Sequence, residues 1–311
     1  MKVIVTGYKG TLGLPLCDKL RANGHSIYGI DKDHDHLDWS RRADVAEKRQ
    51  LGNALRFFGA DQDTTVYHLA AEFGRHNGED YYETLWRTNA VGTHNVLTCQ
   101  REFRFRLIFA SSSEIYGEGP FDREFMDEDM PGRCTPKHHN DYAASKWVNE
   151  QQIRNARRNW KTQSMILRFF NAYGPGEHYH PYRSVIALFI FRALRGLPYT
   201  VFRGYHRVFQ YVGDFIETLA GACGRFRDGE TINVGGREFR SVVDAHRIIS
   251  EQLGLDPYRP AVSWEDKDGH NTVDKRPDIT KAETFLRHDP TTTLEDGIAR
   301  TIAWMRGVYN L

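Results

Sequence analysis

Short apolar runs alternate with helical patterns along the first half of the chain. Lys2–Thr6 (KVIVT) is a short apolar run that ends in a glycine-rich turn. Leu12–Ala22 then places Leu12, Leu16 and Leu20 at helical spacing. Ser26–Ile30 (SIYGI) predicts a second strand, with Asp31 directly after it. Thr65–Ala70, Arg106–Ala110 and Ser164–Phe169 predict further strands, and Asp80–Gln100 and Asp141–Asn159 predict helices between them. Strand and helix in alternation predict a parallel sheet with helices on both faces.

The rhythm breaks after about Asn171. Glycine, proline and aromatic residues gather in NAYGPGEHYHPYR, followed by a helix over Val185–Arg195 and mixed short segments. GETINVGG reads as a strand and turn, and Ser241–Leu253 and Leu294–Met305 as helices. No low-complexity linker and no repeat of solenoid length separates the parts. The pattern predicts residues 1–170 as the main domain and 171–311 as a smaller, irregular α/β lobe. The boundary is soft and the segments interleave.

Composition narrows the function classes. The 311 residues carry 42 Lys+Arg against 41 Asp+Glu, a net charge of +1, so no global field draws the chain to nucleic acid or anionic lipid. The apolar stretch Val185–Phe191 is too short to span a bilayer. Cys17, Cys99, Cys134 and Cys223 lie far apart without a C-x-x-C pair, which reads as reduced thiols. With no leader-like segment at Met1, the expectation is a soluble, cytoplasmic protein. The pairs His34/His36, His138/His139 and His178/His180 have no third ligand at metal-site spacing, so no metal is expected.

The candidate chemistry begins at Thr6–Gly13 (TGYKGTLG). Gly7, Gly10 and Gly13 stand between a strand and a helix, where backbone approaches a pyrophosphate and the helix start offers N–H groups. Lys9, Thr11 and Leu12 share that loop. This predicts a Rossmann-type, doubly wound sheet that binds a dinucleotide. Asp31 suits a carboxylate bonding both hydroxyls of the adenine ribose and repelling a 2′-phosphate, which favours NAD. Lys9 and Lys32 pull toward NADP, because each could meet that phosphate.

Tyr142 and Lys146 stand at i and i+4 in DYAASK and so share one helix face. An ammonium beside the phenol is expected to lower the tyrosine pKa and make Tyr142 a general base. Phe109–Gly117 (FASSSEIYG) puts serines at the C-terminal end of a strand, where open α/β sheets bind ligands. The G-x-x-G-x-x-G loop, the Ser-rich strand end and the Y-x-x-x-K pair resemble the extended short-chain dehydrogenase/reductases. The closest likeness is to the nucleotide-sugar epimerases, dehydratases and decarboxylases.

That resemblance covers nearly the whole chain and implies further roles. Asp44, with Val45, matches an adenine contact. His68–Ala71 (HLAA), with Leu69, Ala70 and Ala71, matches the strand end under the cofactor, and Asn89 an asparagine after a long helix. Asn171 in RFFNAYGP faces the sugar diphosphate in the family, and Arg207 and Arg276 fall where family arginines hold it. His178 and Arg183 follow the Y-G-P motif and are expected at the nucleotide-sugar site, with Glu72 from the segment Glu72–Glu83. The implied first step is oxidation at sugar C4, in which Tyr142 takes the proton, Ser112 bonds the oxygen and Lys146 holds the nicotinamide ribose. Ser112-Ser113-Glu114 is nearest to the Thr-Ser-Glu of GDP-mannose dehydratases and UDP-glucuronate decarboxylases. This makes Glu114 the candidate for dehydratase or decarboxylase chemistry, with Ser113 beside it. Lys275 departs from the arginine of such decarboxylases, so a 4-epimerase of the UDP-glucose or UDP-glucuronate type remains the alternative. An NADPH-dependent sugar-nucleotide reductase and a non-catalytic NAD-binding regulator stand further off. The family also implies a homodimer.

Overall fold

The computed structural model describes residues 1–33, 37–74, 80–118, 125–266, 268–269 and 271–310. His34 and His36, and part of the Glu72–Glu83 segment, lie outside the described residues. Seven parallel strands form the central sheet. Six run in chain order as β1 (Lys2–Thr6), β2 (Ser26–Asp31), β3 (Ser40–Arg42), β4 (Thr64–His68), β5 (Arg106–Ser112) and β6 (Ser164–Phe169). The seventh, Thr231–Val234, returns from the C-terminal half and pairs parallel to β6. Across the sheet the order is 231–234, β6, β5, β4, β1, β2, β3. β1 therefore lies between β4 and β2, where the direction of winding reverses.

Burial explains why the strands were legible. β4 is buried at every position and β5 at all but its first, because helices cover both faces. On one face α1 (Gly13–Ala22) and the helix Val212–Ala222 pack Leu16, Leu20, Phe215 and Leu219 against Val3, Val5 and Tyr67. On the other, Leu51, Leu97 and Ile153 come from helices Lys48–Phe57, Gly92–Phe103 and Asp141–Trp160.

The expected Asp80–Gln100 helix is not uniform. Tyr82–Trp86 leads into a π-helical turn, Arg87–Val91, before Gly92–Phe103 continues as α-helix. The extra residue in that turn coincides with Asn89, which is buried against the Tyr142 helix. Residues after 171 build a second core, in which Ile186, Phe189 and Ile190 pack on Tyr199, Ile249 and Ile298. The helices here run Val185–Leu194, Val242–Leu253 and Leu294–Tyr309, with Ser241 closing a capping box on the second. Apart from Thr231–Val234, the strands in this half are two to four residues long and form separate two- and three-stranded sheets.

Candidate active site

A cavity of about 420 Å³ opens at the C-terminal ends of β1, β2 and β4, the reversal point of the sheet. Gly7, Lys9, Gly10, Thr11, Leu12 and Gly13 line it from β1 and the loop into α1, and Asp31 and Lys32 from the end of β2. Asp44, Val45, Leu69, Ala70, Ala71 and Glu72 also line it, and Tyr142 and Lys146 close its inner end. The glycines are required by close approach. Gly7 has φ +73°, and a Cβ there would sit 2.6 Å from the Ala70 backbone nitrogen. At Gly13 it would sit 2.4 Å from the Gly7 carbonyl oxygen.

These residues fit a dinucleotide. Among the described residues no side chain caps the first turn of α1 and the buried Thr11 Oγ1 has no hydrogen-bond partner, which is the polarity a pyrophosphate satisfies. Asp31 ties the loop to β2, its two carboxylate oxygens accepting from the Lys9 and Asp33 N–H groups at 3.1 Å. Asp44 Oδ1 accepts from the Ala46 N–H at 2.9 Å. Lys32 Nζ donates to Glu72 Oε1 at 2.9 Å, so Glu72 faces the cofactor cavity and its lysine.

At the end of β5, Ser111 lines the cavity and its Oγ donates to Glu150 at 2.6 Å, whereas the Ser112 side chain lies next to Tyr142. Ser112 Oγ also accepts from the Glu114 N–H at 3.2 Å, starting the short turn that carries the nearly buried Ser113 and Glu114. Glu150 is held in turn by the fully buried Arg168, whose guanidinium donates to it twice, at 2.9 and 2.8 Å. This ion pair fixes the Tyr142 helix against β5 and β6.

Burial of the phenol opposes the expected lowering of the Tyr142 pKa. Burial pushes Tyr142 up to about 12; the Ser112 hydrogen bond opposes the shift and the Glu114 charge adds to it. Lys146 Nζ donates to the Ala110 carbonyl at 2.8 Å and lies 5.9 Å from the Tyr142 ring centroid. Burial lowers its own pKa to about 7, so its charge offsets little of the desolvation of the phenol.

Glu114 forms an ion pair with Lys275. Lys275 is almost wholly buried, on the short strand Asp274–Lys275 beside His206–Val208. Arg207 secures the approach to that strand. Its guanidinium donates to the His206, Thr272 and Val273 carbonyls and to Asn271 Oδ1 at 2.6–2.7 Å. These four acceptors tie the guanidinium to the 271–273 loop and to its own strand.

Other expected residues are placed differently. His178 is exposed and packs edge-on to Trp304, with ring centroids 5.2 Å apart, away from the cavity lining. Asn89 does not line the cavity, since its amide bonds the Glu72 backbone and Ser145. Asn171 Nδ2 donates to the Val208 carbonyl at 3.2 Å, and Arg276 stacks 4.0 Å over the Phe125 ring. Arg183 does reach the cavity, its guanidinium 4.0 Å over Phe73 and its buried Nε without a hydrogen-bond partner among the described residues. Sequence reasoning missed Ile30, Asp33, Ala43, Phe73, Thr88, Ala110, Ser111 and Phe169 in the cavity wall. Only the position of several of them at or just after strand ends could have marked them.

Comparison with known proteins agrees with this geometry. The profile of the NAD dependent epimerase/dehydratase family matches residues 3–235. A UDP-N-acetyl-alpha-D-glucosaminuronate decarboxylase from Bacillus cytotoxicus is 28% identical over 99% of both chains. Among solved structures, MoeE5 in complex with UDP-glucuronic acid and NAD superposes with a TM-score of 0.85 at 25% identity, over 99% of this chain and 100% of that one. The UDP-glucose 4-epimerase of Thermus thermophilus, in complex with NAD, gives 0.86 at 26% identity over 99% of both chains. The glycine cradle, the Tyr142–Lys146 face and these matches together make the chain a member of the NAD-dependent epimerase/dehydratase family, an NAD-using enzyme of the extended short-chain dehydrogenase/reductase group.

Proposed function

We propose that the enzyme acts on a nucleoside-diphosphate sugar, oxidising its C4 hydroxyl to a transient ketone and returning the hydride within the same cycle. The observation that carries this reading is the buried Tyr142 and Lys146 in the cavity wall, with Ser112 and the Glu114 carboxylate next to Tyr142. Tyr142 takes the C4 hydroxyl proton, and Ser112 holds the same oxygen in line. Lys146, anchored on Ala110, holds the nicotinamide ribose. Bound NAD supplies the hydride acceptor and a positive ring charge beside the phenol, which works against the burial that keeps Tyr142 protonated.

The C4 ketone acidifies the C5 proton of the sugar. Glu114, paired with Lys275, would remove that proton or assist loss of a C6 carboxylate as carbon dioxide. The reading therefore leans to dehydratase or decarboxylase chemistry, and the decarboxylase relative supports it. A 4-epimerase is the second reading, favoured by the expenditure of Glu114 on its lysine and by the Thermus relative. Free cysteines suit a cytoplasmic setting, and pairing of two copies through the Tyr142 helix completes the proposal.

Product mass spectrometry tests it. The protein is incubated with UDP-glucuronate, UDP-N-acetylglucosaminuronate, UDP-glucose, dTDP-glucose and GDP-mannose, without added reductant. Loss of carbon dioxide or water is expected from one of them. An unchanged mass with shifted retention would replace the lyase reading with the epimerase.

A further inference from the structure

One contact crosses the cavity without a role in the chemistry above. β1 lies between β4 and β2, so any contact between the segments leaving β2 and β4 passes over the end of β1 and its glycine loop. Lys32 and Glu72 make that contact, and both line the cavity. Two strand spacings are about 10 Å, a gap that a lysine and a glutamate side chain span together.

The two ends of this bridge differ. The Glu72 peptide is gripped by Asn89, whose Oδ1 accepts its N–H at 2.8 Å and whose Nδ2 donates to its carbonyl at 3.1 Å. Asn89 Nδ2 also donates to Ser145 Oγ at 3.0 Å, tying this segment to the Tyr142 helix. Phe73 lies under the Arg183 guanidinium. Gly74 has φ +96°, and a Cβ there would come within 2.7 Å of the Tyr182 Cβ. The Glu72 side chain is 18% exposed, whereas that of Lys32 is 58% exposed. Glu72 is the fixed end and Lys32 the end that swings.

We propose that the Lys32–Glu72 pair is a clasp over the bound dinucleotide, which retains NAD between turnovers. Glu72 acts on the cofactor only through Lys32 and is a positioning residue. The clasp concerns NAD binding alone and stands or falls independently of the sugar chemistry. A partly exposed pair slows release by up to about fivefold, which is about 1 kcal/mol.

The test is the release rate of bound NADH, followed by fluorescence after mixing with excess NAD. Wild type, Glu72→Gln, Lys32→Met and the double variant are compared, with melting curves to show that each is folded. Each single variant is expected to release three- to fivefold faster at low salt, and the double variant no faster than either. Wild type should approach their rate in molar salt. If Lys32 instead bonds the dinucleotide directly, Lys32→Met alone quickens release and Glu72→Gln slows it or leaves it unchanged. That result, or additive single effects, overturns the clasp.

Discussion

Lys275→Met removes a buried ammonium and strands the Glu114 carboxylate. The side chains are 1% and 15% exposed. At contact distance and an effective dielectric near 20, such charges attract by about 4 kcal/mol. Removing one member of a buried pair costs roughly 3–5 kcal/mol, since the remaining charge has no compensation. At roughly 2 °C per kcal/mol for a chain of this size, Tm should fall by about 6–10 °C. Lys275→Met/Glu114→Gln removes the stranded charge and should recover at least half of that loss. Thermal melting of wild type, both single variants and the double closes the cycle. A second readout is the pH dependence of kcat. Burial is the main cause of the raised Tyr142 pKa, and Glu114 adds to it, so loss of Lys275 should move the acid limb to higher pH. Glu114→Gln should move it lower, and Lys275→Arg should restore it. Additive melting shifts together with an unmoved acid limb would refute the reasoning.

Three further outcomes follow from the same geometry. Tyr142→Phe should lower turnover roughly 10²–10⁴-fold while NAD still quenches protein fluorescence at the wild-type concentration; retention of a tenth of the activity would remove Tyr142 from the chemistry. Gly7→Ala should lose both NAD affinity and Tm, because its Cβ meets the Ala70 backbone in a left-handed conformation. Gly24→Ala has φ +80° and nothing within 4 Å, so it should lose only the roughly 1–2 kcal/mol of backbone strain; equal losses at the two positions would contradict the cradle. His68 is buried between Thr6 and Thr93, and burial, with the Lys146 charge, lowers its pKa to about 3. The unfolded chain therefore takes up that proton first, so the stability is present above pH 6.5 and lost as pH falls toward 3. Urea midpoints at pH 7 and pH 5 should drop for wild type and drop less for His68→Asn; equal drops would show that other groups govern acid sensitivity.

The sheet and the cofactor cradle were legible because their signals are local. β1, the glycine loop and α1 occupy one continuous stretch, and β4 to β6 are buried enough to read as apolar runs. The helix Val212–Ala222 was not seen. It packs on the sheet beside α1 with seven of its eleven residues buried, so its polar face is narrow. Lys48–Phe57 was missed for the opposite reason, since only Leu51, Ala54 and Leu55 are buried. The Glu114–Lys275 pair joins residues 161 positions apart, and no local spacing announces it. Arg207 sits in a motif that implied a ligand contact, and no spacing foretold that Asn271 Oδ1 and the Thr272 and Val273 carbonyls also accept from its fork. Tyr142 shows the same limit in electrostatics. Tyr142 and Lys146 share one helix, but burial raises the phenol and lowers the ammonium.

The central claim is an internal redox cycle at sugar C4, and the fate of the C4 hydrogen tests it most directly. The sugar nucleotide found by the mass panel is prepared with deuterium at C4 and turned over with NAD and no added reductant. The account predicts that the product keeps the deuterium within the sugar and that no NADH accumulates. Deuterium appearing in free NADH in step with turnover would contradict it.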